Sequence, residues 1–152
     1  MPDPCHVLLA DDDPVDVELT SEILRLSGDW AGVHVVGDGE QALGFLRRTP
    51  GYTDAPRPSL ILLDINMPRL SGLEVLAVVK ADAGLLSIPV VMFSTSAHDT
   101  DINASYNLHA NGYVTKPRDY DGFEAALMQI SRFFLSTVQR CPIGSAPWDK
   151  SG

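Results

Sequence analysis

Four short apolar runs each end in a residue able to do chemistry. Residues 7–10 lead into Asp11 and Asp12, residues 60–63 into Asp64, residues 89–93 into Ser94, and residues 112–115 into Lys116. If the runs are strands of one parallel sheet, these ends lie on a common edge and the polar groups converge there. Clustered carboxylates repel, and burial raises at least one pKa unless a cation intervenes. Hard oxygen ligands around a shallow cleft suit Mg²⁺, which keeps several waters and binds through one or two carboxylates plus a phosphate. Lys116 adds a mobile positive point charge for a phosphoryl or carboxylate oxygen, and Ser94 adds a hydroxyl donor. The set suits a phosphoryl group held on Asp64, a carboxylate nucleophile of the aspartyl-phosphate type. Metal and lysine would neutralise the equatorial oxygens during transfer. Taken singly, Asp11 to Asp13 could be loop and cap residues, Ser94 could bond only backbone, and Lys116 could be solvated. Their joint occurrence at successive strand ends favours the chemistry.

The elements that must position these groups are legible as an alternation. The run at 60–63 is continuously apolar, as in a central strand buried on both faces, and Pro68 forbids its continuation. Asp13 and Pro14 suit the start of a helix, with Val15, Leu19, Ile23 and Leu26 on one face and Gly28 as its stop. A second strand covers residues 33–36; Gly37-Asp38-Gly39 turns into a helix carrying Ala42, Leu43, Phe45 and Leu46. Residues 49–59, rich in Pro and Gly, form a surface loop. Ser71-Gly72 opens a third helix with Leu73, Leu76 and Val79 inward. Asp99 or Thr100 caps a short fourth helix containing Ile102, Tyr106 and Leu108. A last helix begins near Asp119 and buries Phe123, Leu127, Ile130 and Phe134. Five strand–helix units with short connections argue for a parallel sheet covered on both faces.

Composition narrows the partners. The chain has 152 residues, enough for one domain with a proper core, and a net charge of −9 with no basic cluster, so a nucleic-acid footprint is not expected. No apolar run approaches the roughly 20 residues that span a bilayer, and the first residues lack an export signal. Cys5 and Cys141 have no CxxC spacing and read as reduced cytosolic thiols. His6, His34, His98 and His109 show no zinc-like spacing. The expected organisation is a domain over residues 1–140 and a loose tail over 141–152, in the cytoplasm.

Asp11-Asp12 after a strand, Leu62-Leu63-Asp64-Ile65-Asn66-Met67-Pro68, Ser94-Thr95-Ser96 and Gly112-Tyr113-Val114-Thr115-Lys116-Pro117 together resemble the receiver domain of two-component response regulators. The likeness runs over about residues 5–139. It implies an α/β, flavodoxin-like (βα)5 doubly wound fold with strand order 2-1-3-4-5. It further implies Asp64 as phosphoacceptor, Asp12 as a Mg²⁺ ligand, Asp11 as a water-mediated one, and Asn66 as a ligand through its backbone carbonyl. Ser94 takes the place of the switch hydroxyl, Tyr113 of the switch aromatic and Lys116 of the family's lysine. Lys116-Pro117 resembles the family's cis peptide. Thr95 departs from the smaller alanine common in receivers, a change expected to narrow access to the phosphoryl group and alter its lifetime.

The loop containing Ala55-Pro56-Arg57-Pro58 and the segment from Ser105 to Tyr113 resemble the small stand-alone regulators paired with phytochrome-type histidine kinases, the bacteriophytochromes. The resemblance thus implies a histidine kinase as partner, with the chain assisting its own phosphorylation rather than acting as an enzyme. Tyr106, Met128, Phe133 and Leu135 have no obvious place inside, so a homodimer through the fourth-helix, fifth-strand, fifth-helix face is expected. Other readings are weaker. A haloacid-dehalogenase-type phosphatase needs a second acid two residues after its nucleophile, where this chain has Asn66. A flavodoxin needs a phosphate-cradling Ser/Thr-Gly loop after strand one. A pseudo-receiver that binds without phosphorylation is at odds with the intact acids and lysine. Ser94 and His98 lack the Gly-x-Ser-x-Gly elbow of a Ser-His-Asp hydrolase.

Overall fold

The computed structural model describes residues 4–137. The apolar runs become five parallel strands, β1 (His6–Ala10), β2 (Gly32–Val36), β3 (Leu60–Leu63), β4 (Val90–Ser94) and β5 (Gly112–Thr115), in the order β2-β1-β3-β4-β5. Between them lie α1 (Pro14–Leu26), α2 (Gly39–Arg47), α3 (Gly72–Ala81) and α4 (Asp99–Asn107), and α5 (Tyr120–Arg132) follows β5. This is the expected flavodoxin-like topology. The predicted tail and the boundary at residue 140 lie outside the described residues.

Alternation along the strands builds a core on each face. Leu8, Ala10, Ile61, Leu63, Val90 and Met92 face α2 and α3. Val7, Leu9, Leu60, Leu62, Val91 and Phe93 face α1 and α5. Every residue of β3 is fully buried because this strand lies at the centre of the sheet, covered on both sides. The pairing register aligns Ala10 with Leu63 and Ser94 with Thr115, so the strands end level with one another. That levelling sets the chemical groups side by side.

Side-chain caps fix where the helices begin. Asp13 accepts from the Val15 and Asp16 amides, Asp38 from Gln41, and Asp119 from Gly122. Ser71 and Glu74 form a reciprocal capping box at α3. Gly28, at φ 73°, ends α1 in the left-handed region, where a missing Cβ costs nothing.

Several expectations are corrected. On α1 the buried arc is Thr20, Ser21, Ile23 and Leu24, whereas Val15 and Leu26 are 71% and 78% exposed. The helical period was legible, but small hydroxyl residues occupy the packed side. α4 is capped at His98 without a side-chain bond, and Asp99 and Thr100 lie inside the helix. Phe134 is only half-buried, in a wider π-helical turn over Phe133–Thr137. Met128 and Leu135 pack against the α1/α5 core instead of lacking a place. The Lys116–Pro117 bond, whose isomer the sequence leaves open, is trans.

One close approach bears on the site. A Cβ at Gly72 would sit 2.0 Å from the Asp64 carbonyl oxygen and 2.9 Å from the Ile65 Cα. The loop after β3 therefore folds back onto α3 with no room for a side chain. Gly72→Ala is expected to destabilise the protein by about 1–3 kcal/mol in urea denaturation. Gly37→Ala, whose nearest neighbour would be 3.8 Å away, is expected to stay within about 0.5 kcal/mol; equal losses would refute the close approach.

Candidate functional site

The chain reverses its direction of winding between β1 and β3, which are neighbours in the sheet although β2 separates them in sequence. Ligands of open α/β sheets bind in the crevice at such a switch point. Asp11 follows β1 and Asp64 follows β3, and both amides remain in the ladder: Asp11 N–H donates to Val36 O at 3.1 Å and Asp64 N–H to Ala10 O at 3.0 Å. The sheet thus holds both carboxylates at the crevice through their own backbone.

Their side chains are nearly shut off from solvent, Asp11 at 1% and Asp64 at 11% exposure, while Asp12 is exposed. Asp11, Asp12 and Asp64 can each offer a carboxylate oxygen, with these atoms all within 4.8 Å of one another. An oxygen-only donor set with one solvent-facing member fits a hard divalent cation that retains water. Asn66 lies two residues beyond Asp64, exposed in the loop between β3 and α3.

Lys116 is buried beside them at 4% exposure. Its amide donates to the Ser94 carbonyl at 2.7 Å, which ties the end of β5 to the end of β4. Its ammonium donates to Asp11 Oδ2 at 2.7 Å, Asp16 Oδ2 at 2.8 Å and Asp64 Oδ2 at 3.3 Å. Burial alone would lower the lysine pKa, but the bonds to Asp11 and Asp16 and the charge of Asp64 outweigh it and hold it above its ordinary value. Asp11 moves the other way from a usual carboxylate. Burial pushes it up to about 6, against the opposing pull of Lys116.

The oxygens of the acids are differently committed. Asp11 Oδ1 accepts the Asp13 amide at 3.0 Å and its Oδ2 accepts Lys116. Asp64 Oδ1 accepts the Ile65 amide at 2.7 Å, while its Oδ2 has only the longer lysine contact. Of the two buried carboxylates, Asp64 therefore presents the less engaged oxygen.

Ser94, fully buried at the end of β4, accepts the Ser96 amide on its Oγ at 3.3 Å. The Tyr113 hydroxyl donates to the Ser96 carbonyl at 2.7 Å, so the phenol already reaches the loop between β4 and α4. Burial raises the Tyr113 pKa, and the phenol stays a donor. Ser96 Oγ in turn donates to Asp101 Oδ2 at 2.5 Å, in the first turn of α4. Thr95 is exposed.

Asp11, Asp12, Asp64 and Lys116 are brought together here; Ser94 is tied to Lys116 through the backbone, Tyr113 is bonded to the loop after Ser94, and Asn66 lies in the loop after Asp64. Asp16, Ser96 and Asp101 were not singled out. Asp16 had a signal: it lies in the first turn of the helix that follows Asp11, close enough to the crevice for its carboxylate to reach in.

Over residues 7–128 the sequence matches the family described as the response regulator receiver domain. Response regulator Rcp1 of Synechocystis sp. is 40% identical over 135 residues, 89% of this chain and 92% of Rcp1. The crystal structure of the Mn(2+)-bound form of Rcp1 matches with a TM-score of 0.86 at 39% identity, covering 91% of this chain and 100% of that one. The phosphorylated cyanobacterial phytochrome response regulator RcpA matches with a TM-score of 0.88 at 39% identity, covering 92% and 100%. Shared topology, the acid cluster at the switch point and a match across almost the whole sheet agree: the chain belongs to the response regulator receiver domain family.

Proposed function

We propose that Asp64 accepts a phosphoryl group from a histidine kinase of the phytochrome type, in the cytoplasm, with Mg²⁺ held by Asp11, Asp12, Asp64 and the backbone carbonyl of Asn66. The observation that carries this is the less engaged oxygen of Asp64, Oδ2, whose one bond among the described residues is the 3.3 Å contact to Lys116. Its Oδ1 is fixed by the Ile65 amide, which leaves Oδ2 to form the new P–O bond as the P–N bond to the kinase histidine breaks. Bound Mg²⁺ would supply neutralising charge on the transferring oxygens. Lys116, already bonded to Asp64 Oδ2 and held protonated by the surrounding acids, would donate to those oxygens as well. Ser94 stands at the adjacent strand end, where its hydroxyl can donate to a phosphoryl oxygen. The kinase class is supported by the likeness to Rcp1 and RcpA.

Phosphorylation then biases the loop between β4 and α4. A hydroxyl drawn toward the phosphoryl group shifts Ser94 and Ser96, and Tyr113 is bonded to that same loop. The surface reporting this state is the α4, β5 and α5 face, which we assign to a homodimer. Tyr106 is 49% and Phe133 50% exposed, large apolar surfaces that a partner would take out of water.

Incubation of the full chain with acetyl phosphate and Mg²⁺ is expected to add one phosphoryl mass. Asp64→Asn is expected to abolish it; persistence at full yield would remove Asp64 from the role, and no uptake by the unsubstituted chain would favour a pseudo-receiver. In calorimetry, Asp12→Ala is expected to weaken Mg²⁺ binding at least about tenfold, in line with loss of a charged oxygen ligand. Unchanged affinity would exclude Asp12 as a ligand. Light scattering during size-exclusion chromatography, at micromolar concentration with and without beryllofluoride, is expected to show a dimer in at least one state. A monomer in both would discard the dimer and leave kinase docking as the use of that face.

A further inference from the structure

An ammonium has three N–H donors, and Lys116 aims each at a different carboxylate: Asp11 at 2.7 Å, Asp16 at 2.8 Å and Asp64 at 3.3 Å. The contact to the proposed phosphoacceptor is the longest of the set. The two shorter contacts differ in setting. The Asp11 side chain is 1% exposed, sealed at the floor of the crevice, while that of Asp16 is 22% exposed at its rim.

Asp16 is not committed to capping its own helix. The N-cap is Asp13, whose carboxylate takes the Val15 and Asp16 amides. The Asp16 carboxylate instead turns to a lysine 100 residues away in sequence. It therefore competes with Asp64 for the same ammonium. A phosphoryl group on Asp64 consumes Oδ2 in the acyl phosphate bond and brings new oxygens, toward which Lys116 must redirect a donor. The Asp16 contact is the cheaper of the two short ones to release, because its carboxylate, 22% exposed at the rim, can take water in place of the lysine. Breaking the Asp11 contact would strand a buried charge.

We propose that Asp16 is a positioning residue that holds the Lys116 ammonium back from Asp64, and so limits both the rate of phosphoryl uptake and the strength with which the phosphoryl group is held. This rests on the reading of Asp64 as the phosphoacceptor. Removing the carboxylate leaves Lys116 with only crevice partners, so its free donor becomes available to the incoming oxygens without a prior contact to break. Asp16 acts by contact and not through the charge of α1 as a whole, and Glu18 separates the two. Glu18 is exposed on the same helix.

The test measures beryllofluoride affinity by calorimetry and phosphorylation by acetyl phosphate through intact mass, both on the full chain in Mg²⁺. Asp16→Asn is expected to bind beryllofluoride about fivefold more tightly and to gain phosphoryl mass faster by a similar factor, the size expected of a partly exposed ion pair. Asp16→Glu, which restores a carboxylate on a longer stem, and Glu18→Gln, which removes a charge elsewhere on α1, are each expected within about twofold of the unsubstituted chain. A merely structural role for Asp16 would move thermal stability but neither tighten the anion mimic nor be rescued by Glu. If the unsubstituted chain neither binds beryllofluoride nor takes up phosphoryl mass, the reading of Asp64 fails and this inference falls with it. If it does both, and Asp16→Asn is unchanged or slower, the restraint alone is overturned. An equal gain in Glu18→Gln would also overturn it, assigning the effect to net charge.

Discussion

The crevice is organised by a charge imbalance: a single buried ammonium, Lys116, stands among Asp11, Asp16 and Asp64, with Asp12 at the rim. Like charges this close oppose folding unless a cation is held among them. Much of the architecture serves to place that one side chain. Lys116 emerges at the end of β5, and its amide is clamped to the Ser94 carbonyl on β4. Phe93 lies beneath it, with the ammonium 5.8 Å from the ring centroid. The acids come from β1, α1 and β3, so four elements must be correctly ordered before the charges can balance. A slip of one residue in any strand would turn its end group to the opposite face.

From this crevice a short hydrogen-bonded series leads outward. The Ser96 amide bonds Ser94 Oγ, the Ser96 carbonyl receives Tyr113, and the Ser96 hydroxyl reaches Asp101 on α4. Ser96 thus has each of its polar groups assigned to a different neighbour. Those bonds give a displacement at Ser94 a direct route to Tyr113 on β5 and to Asp101 on α4.

How much of this was legible beforehand follows from which residue types signal position. Strands declared themselves because parallel strands are uniformly apolar, and the run at 60–63 allowed no amphipathic alternative. Asp11, Asp12, Asp64 and Lys116 were legible because charged residues directly after such runs must lie at the sheet edge. The packed side of α1 was not: hydrophobic spacing pointed to Val15 and Leu26, yet the helix buries Thr20 and Ser21, whose hydroxyls lack partners among the described residues. Small side chains permit close approach of α1 to α5, a property that hydrophobicity does not register. Asp16 escaped notice for a related reason. An acid in a first helical turn is ordinary, and only the tertiary position of Lys116 gives it a second partner.

The tryptophan at position 30 carries an optical consequence. It is 8% exposed, on the α1/α5 side of the sheet, and its indole N–H donates to Ser131 Oγ of α5 at 3.1 Å. The residue after Asp64 is Ile65, which has no chromophore of its own in the near ultraviolet. Emission from Trp30 is therefore governed by the seating of α5 on its neighbours, not by ion or anion occupancy of the crevice. A change in the colour or intensity of the Trp30 emission, resolved from that of Trp148, would mean that the disturbance had crossed the sheet, a gauge of transmission rather than of binding.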